Sequence, residues 1–182
     1  ELARGLELSK EALTRLSQRR SIIHRKGYLA IRKLLKNHDI DPLAHKYDKN
    51  GAPYLTDGRH LSISHTKDVA AIAISSQPVG IDLEYYQEKI IRIAPRFLHL
   101  KESLDLNMNK NIHYLSQIWT AKEALYKVFH KKGIQFNTQL LIDPIEVKSK
   151  ESIGSVFYKN RIKKYKLYFR YFDNFCLSLA IT

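Results

Sequence analysis

Two carboxylates one residue apart, Asp82 and Glu84, lie in the stretch Val79-Gly80-Ile81-Asp82-Leu83-Glu84. Downstream comes Trp119-Thr120-Ala121-Lys122-Glu123-Ala124-Leu125-Tyr126-Lys127. The first stretch alternates as a strand does, with Val79, Ile81 and Leu83 on one side and Gly80, Asp82 and Glu84 on the other. Two like charges side by side on a strand repel unless something positive sits between them. A magnesium ion held by one or two carboxylates and by substrate phosphates would supply that charge. Gly80 beside them leaves room for a backbone or a ligand to approach. The second stretch has helical spacing and puts Glu123 and Lys127 one turn apart on one face. It offers a third carboxylate and a cation able to meet a phosphate. Taken singly, each half reads as an ordinary exposed strand or a solvated helix with an ion pair.

Together, Val-Gly-Ile-Asp-Leu-Glu and Trp-Thr-Ala-Lys-Glu-Ala-Leu-Tyr-Lys resemble the signature of the 4'-phosphopantetheinyl transferase superfamily, in its two-half monomeric, surfactin-synthetase-activating type. The resemblance implies an α+β fold of two similar α/β halves about a pseudo-twofold axis, with the active site in the cleft between them. It implies an N-terminal half over 1–76 that binds coenzyme A, and a C-terminal half over 77–182 with the metal site and signature helix. It also implies transfer of 4'-phosphopantetheine from coenzyme A to a serine of an apo acyl or peptidyl carrier protein, with release of adenosine 3',5'-bisphosphate. This is the reaction of a holo-[acyl-carrier-protein] synthase. Asp82, Glu84 and Glu123 would hold Mg²⁺, or Mn²⁺, and Lys127 would meet the cofactor.

Further segments carry the resemblance. Arg25 and Arg32 lie two turns apart on a predicted helix. Spacing alone reads them as a solvated flank, but Arg25-Lys-Gly-Tyr-Leu-Ala-Ile-Arg32 resembles the family's basic helix, whose arginines approach coenzyme A phosphates. Ile63-Ser64-His65-Thr66 resembles the family's Ser-His motif, which assigns Ser64 and His65 to coenzyme A rather than to nucleophilic catalysis; no Gly-x-Ser-x-Gly elbow surrounds them. The family's Gly-Lys-Pro appears here as Gly51-Ala52-Pro53, so one phosphate contact is lost unless Lys49 replaces it. Arg96-Phe97-Leu98 through Glu102 resembles a stretch whose glutamate lies near the metal or the attacking hydroxyl. A plain helix-start glutamate is the alternative there. The serine's proton would pass to Glu102 or to Glu123.

The supporting elements follow from periodicity and breakers. Helices are expected over 9–21 with Ser9 as N-cap, over 22–37, over 88–97 with a break at Pro95, and over 111–130 with Gly133 closing the segment. Asp41-Pro42 ends the helical region. Strands are expected from Lys46 to Asp48 before a turn at 49–53, then over 60–66, 69–74 as a core strand, and 79–85. Strand 69–74 is expected to pair with 79–85 across the turn at Gln77-Pro78. The C-terminal part reads as strands near 144–149, 154–159, 164–172 and 175–181, with a hairpin turn at 159–161.

The 182 residues suffice for a core, in one domain or two small halves. No apolar run approaches the roughly 20 residues of a membrane span, and no signal-peptide pattern opens the sequence. The chain starts on Glu1 rather than Met, and a missing N-terminal segment is allowed for. A single cysteine, Cys176, excludes an internal disulfide and fits a reducing cytoplasm. The net charge of +13 favours acidic partners, and an acidic carrier protein is one. Two rival classes stand beside the transferase. One is a nucleic-acid binder using Lys163, Lys164, Lys166 and Arg170 with Tyr165, Tyr168 and Tyr171. The other is a degenerate family member that binds coenzyme A or a carrier without transfer, which only Ala52 supports.

Overall fold

The computed structural model describes residues 2–104 and 108–182, and the chain divides into two compact units, Glu1–Ser76 and Gln77–Thr182. In the first unit, helix α1 spans Lys10–Ser17 and is capped by Ser9, whose hydroxyl accepts from the Ala12 N–H at 3.1 Å. Helix α2 spans Ile22–Asn37 and buries Gly27, Tyr28, Ile31, Arg32 and Leu35, a stripe at three- and four-residue steps. Its core partners are Ile40, Leu55 and Leu61. A 3₁₀ turn at Pro42–Ala44 follows, capped by Asp41.

Strands β1 (His45–Tyr47) and β2 (Pro53–Leu55) pair antiparallel. The Asp48 carboxylate closes their turn by accepting from the N–H groups of Asn50 at 2.7 Å and Ala52 at 2.9 Å. Pro53, expected within the turn, opens β2, a strand position where its missing N–H is tolerated. Strands β3 (His60–His65) and β4 (Ala70–Ser75) form an antiparallel pair in which His65 faces Ala70. Every residue of β4 is half-buried, and its apolar run lines the core through Ala70, Ile72 and Ile74 without being enclosed by it.

In the second unit, strand β5 covers Val79–Tyr85. Helix α3 (Lys89–Ile93) passes into a 3₁₀ turn at Ala94–Arg96, where Pro95 breaks the α pattern. Helix α4 spans Ile112–Phe129, capped by the Asn111 side chain, which accepts from the Tyr114 N–H at 3.1 Å. Its left-handed C-terminal residue is His130 at φ 57°, and Gly133, at φ 79°, lies in the turn that follows. The short helix α5 (Phe136–Gln139) leads to β6 (Leu140–Ile142), β7 (Glu151–Tyr158), β8 (Arg161–Tyr171) and β9 (Phe175–Ile181).

All five strands pair antiparallel in the order β5-β9-β8-β7-β6. The turn between β7 and β8 has positive φ at Lys159 (48°) and Asn160 (58°), the backbone that twists with a tight hairpin. Two expectations fail here. Strand β5 pairs with β9, not with β4, and the interval 144–149 is not a strand. α4 lies across the sheet, and Leu115, Ala121, Ala124 and Leu125 are wholly buried against Leu140, Val156, Leu167 and Ala180. The fold is α+β, as expected. No helix among the described residues is long and apolar enough to cross a membrane.

Candidate active site

The carboxylate strand and the signature helix meet in the second unit, and Gly80 is why they can. A Cβ at Gly80 would fall 2.1 Å from the Ala124 carbonyl oxygen and 2.8 Å from the Val128 nitrogen. The glycine therefore admits the backbone of α4, one of the two uses its position suggested. The alternation of β5 then turns Asp82 and Glu84 to the same side as Gly80, towards α4. The Lys127 ammonium donates to the Asp82 Oδ1 and to the Ile81 carbonyl, both at 2.8 Å. Asp82 is 7% exposed and the Lys127 side chain 27%, so the pair is shielded on the carboxylate side and partly open on the ammonium side.

Glu123 and Glu84 complete an acidic group. Burial first, then Asp82 and more weakly Glu84, raise the Glu123 pKa to about 7 against the pull of Lys127. Burial and then Asp82 raise Glu84, against Lys89, a hydrogen bond from Trp119 and Lys127. Glu123 and Glu84 hold their protons beyond the usual carboxylate range, with the Asp82 charge acting on both, which leaves the site short of positive charge. That deficit is what a divalent cation would fill, and all three are hard oxygen donors suited to Mg²⁺ or Mn²⁺. Among the described residues, however, no group of three or more His, Cys, Asp or Glu side chains is drawn together closely enough to hold a metal ion. Lys127 supplies the counter-charge to Asp82.

Glu102 is placed differently from its expected role as proton acceptor. Its Oε2 lies 2.6 Å from the Lys122 ammonium and accepts from the His99 N–H at 2.7 Å. Its Oε1 accepts from the Ile142 N–H at 2.8 Å. Both oxygens are thus engaged, and Lys122 is fully buried, donating also to the carbonyls of Phe97 (2.6 Å), Leu140 (2.8 Å) and Phe136 (3.1 Å). Burial, outweighing Glu102, lowers the Lys122 pKa to about 8. The pair fastens the 97–102 segment and the start of β6 to α4. Sequence reasoning missed Lys122; the signal available was a lysine flanked by the apolar residues of an otherwise buried helix face. Trp119 packs on Phe97 and Phe136, ring centroids 5.1 and 5.7 Å away, as a core residue that also reaches Glu84.

The remaining expected residues lie in the first unit. Ser64 is buried and His65 half-buried at the end of β3. The imidazole covers Gly27 so closely that a Cβ there would lie 2.6 Å from its Cγ, and His24 packs edge-on at 6.1 Å between centroids. Arg25 and Lys49 are exposed. Arg32 is not: it is 2% exposed, with its guanidinium 3.7 Å from the centroid of the Tyr28 ring. Burial of α2 begins one turn in, so the two arginines share a stripe but not an exposed face.

The basic β8 strand gives weak support to base stacking. Lys163, Lys164, Lys166 and Arg170 are exposed, but Tyr165 is 1% exposed, and Tyr168 and Tyr171 are half-buried. No row of free rings lies between the charges. Cys176 is buried, and its thiol pKa is raised to about 12 mainly by that burial, as fits an unreactive packing residue.

The comparison with known families matches the strands, helix and loops of this second unit. The family model for the 4'-phosphopantetheinyl transferase superfamily covers residues 78–180, more than half of the chain. The chain belongs to that superfamily. Among its relatives, the 4'-phosphopantetheinyl transferase gsp of Aneurinibacillus migulanus is 33% identical over 111 residues, 58% of this chain and 47% of that protein. The 4'-phosphopantetheinyl transferase Sfp of Bacillus subtilis is 33% identical over 96 residues, 51% of this chain and 42% of Sfp. The transferase psf-1 of Bacillus pumilus is 29% identical over 102 residues, 53% and 43% of the two chains. These relatives place the chain with the Sfp type of the superfamily. The matched segments span about half the length of the curated relatives.

Proposed function

We propose that the chain transfers the 4'-phosphopantetheine group of coenzyme A to the serine hydroxyl of an acidic apo carrier protein in the cytoplasm, acting as a monomer. The observation that carries the reading is the arrangement on β5 and α4 within the superfamily match. Asp82 and Glu84 both act on the Glu123 carboxyl, and Lys127 sits on Asp82. Asp82, Glu84 and Glu123 would hold Mg²⁺ or Mn²⁺, which when bound offsets charge on the pyrophosphate as its bridging bond breaks. In the reaction the serine oxygen forms a bond to the phosphorus bearing the pantetheine arm. The bond from that phosphorus to the bridging oxygen breaks, and adenosine 3',5'-bisphosphate leaves with the electron pair.

The chain's own residues carry three tasks. Lys127, 2.8 Å from both the Asp82 Oδ1 and the Ile81 carbonyl, holds a cation where the phosphates would arrive. Arg25, Ser64, His65 and Lys49 would bind coenzyme A from the first unit, with Ala52 in place of the family's lysine. Glu123, one turn before Lys127 on α4, would accept the serine proton directly or through water. Glu102, whose oxygens are engaged by Lys122, His99 and Ile142, positions α4 instead.

The test is intact-mass spectrometry of an apo acyl or peptidyl carrier protein after incubation with this protein, coenzyme A and Mg²⁺. The expected result is the gain of one phosphopantetheinyl group, lost on chelation and abolished in Asp82→Ala. Full transfer by Asp82→Ala refutes the site. Coenzyme A binding without transfer to several apo carriers overturns the transferase reading in favour of the degenerate binder.

A further inference from the structure

Strand β8 carries five cations and no acid in its 11 residues: Arg161, Lys163, Lys164, Lys166 and Arg170. Among the described residues, none of the five is held by an ion pair. Alternation divides them between the two faces of the sheet. Tyr165, Leu167 and Phe169 are buried in the core with α4, so Ile162, Lys164, Lys166, Tyr168 and Arg170 point to the opposite face. Lys164, Lys166 and Arg170 are exposed there, and Ile162 is 62% exposed. The register supplies their neighbours. Lys166 lies between Ile153 of β7 and Ile181 of β9, and Arg170 lies beside Leu177. These three aliphatic side chains are half-buried. Among the described residues of β7, β8 and β9 on this face, Glu151, opposite Tyr168, is the only acid.

Lys164 and Lys166 stand about 6.8 Å apart on one face of a strand, where like charges repel. A face built only for water gains nothing from one sign of charge, since mixed signs keep it as soluble. The flanking aliphatic side chains add an apolar component at the same place. Charge and apolar contact together fit an acidic amphipathic helix. Residues i and i+4 of a helix lie about 6 Å apart along its axis, close to the Lys164–Lys166 spacing. From Lys164 to Arg170 is about 20 Å, the length of about 14 helical residues. A second copy applying the same face is opposed by charge. Nucleic acid fits less well: Tyr165 faces the core at 1% exposed and Tyr168 is half-buried, so no ring between the cations is free to stack. Asp82, opposite Ser178, is turned to the α4 side of this sheet, so an occupant of the other face leaves it open.

We propose that Ile162, Lys164, Lys166 and Arg170, with Ile153 and Ile181 beside them, form a docking surface for an acidic amphipathic helix of a partner polypeptide. The helix lies along β8 with its carboxylates on the three cations and its apolar stripe on the isoleucines. It is distinct from any segment that reaches the carboxylate site, which is on the other face. The proposal stands whether or not the chain transfers phosphopantetheine.

The test is fluorescence anisotropy of a labelled helical peptide of about 18 residues, with glutamates and leucines on adjoining stripes, titrated with the whole chain. Saturable binding that weakens with added salt is expected. Lys166→Glu should weaken it roughly tenfold, by exchanging an attraction for a repulsion. Lys163→Glu changes the net charge equally, but on the α4 side, where Lys163 lies 5.0 Å from the Tyr165 ring centroid. It should weaken binding less than about twofold. Ile162→Ser should weaken it roughly fivefold through lost apolar contact. All three positions are exposed, and circular-dichroism melts check that each variant stays folded. Oligothymidylate of equal charge is the comparison probe. No binding of the peptide by the wild type, or equal losses in Lys166→Glu and Lys163→Glu, overturns the proposal. Tighter binding of the oligothymidylate, insensitive to Ile162→Ser, overturns it in favour of nucleic acid.

Discussion

Gly80→Ala tests the packing that brings strand and helix together. The added Cβ would lie 2.1 Å from the Ala124 carbonyl oxygen, 2.8 Å from the Val128 nitrogen and 3.0 Å from the Ala124 carbonyl carbon. All three are backbone atoms, and the oxygen and nitrogen are the two ends of one helical hydrogen bond. Ordinary heavy-atom contact needs about 3.5 Å, so α4 would have to retreat by about 1.4 Å. The helix cannot do so freely, because Leu115, Ala121, Ala124 and Leu125 are fully buried beneath it. The cost therefore falls at or above the top of the usual ~1–3 kcal/mol for overpacking. With about 2–4 °C per kcal/mol at this size, Tm should fall by roughly 6–12 °C. Glu123 and Lys127 would move with the helix away from Asp82. A shift of about 1 Å at a reacting centre can cost ~100-fold in rate. Gly154→Ala is the control. Its Cβ would first meet the ends of the Leu125 and Leu167 side chains, at 2.6 to 3.0 Å, which give way more readily than backbone. The measurements are circular-dichroism melting and the transfer rate to an apo carrier. A Gly80→Ala protein that melts no lower than Gly154→Ala and keeps its rate would refute the account of β5 and α4.

Three further outcomes are expected. Lys122→Met should destabilise by about 3–5 kcal/mol in urea titrations by leaving the Glu102 carboxylate buried and unpaired, and adding Glu102→Leu should recover much of it. Glu123 is raised from the ordinary carboxylate value to about 7, so the folded state holds its proton longer than the unfolded chain. Its contribution to metal-free stability should fall as pH rises from about 4.5 to 7, a decline that Glu123→Gln removes in melts across that range. His45 is lowered from 6.5 to about 3, so the unfolded chain takes up its proton first. Stability should then fall as pH drops from 6.5 towards 3, and His45→Phe should flatten that limb in the same melts.

The parts of this fold legible in the sequence are those with a long period or a cap. α2 and α4 repeat apolar residues over several turns, and Ser9 caps α1 as its position implied. β5 shows a two-residue alternation. Where an element is short or its partner distant, that signal fails. Ile145 and Val147 alternate like a strand, yet the chain turns at Lys148 with φ 67° and both side chains pack on the main core instead. β5 finds its partner in β9, nearly at the other end of the chain, because pairing depends on matched edges and register, not on adjacency. The candidate site divides the same way. Asp82, Glu84, Glu123 and Lys127 stand on regular elements whose spacing fixes their direction. Arg32, given to coenzyme A phosphates by resemblance, and Glu102, given to the metal or the attacking hydroxyl or else to an exposed helix start, are buried by Tyr28 and Lys122, which declare themselves only in three dimensions.

The two lysines of α4 show how one helix serves structure and chemistry together. Five residues separate Lys122 from Lys127, so at about 100° per residue they point roughly 140° apart. Lys122 faces the 97–102 segment and β6 with no exposure to water, and its bonds to Glu102 and three carbonyls set where the helix lies. Lys127 faces β5, retains some access to solvent and meets Asp82. Glu123, one turn before Lys127, shares that second direction. A lysine whose donors are saturated by the fold cannot also serve an arriving phosphate. One that is partly open to water and bound to a carboxylate oxygen and a carbonyl can exchange them for ligand oxygens at modest cost. The division of labour therefore follows from burial: the fully enclosed ion pair anchors the helix, and the partly open one remains available for substrate.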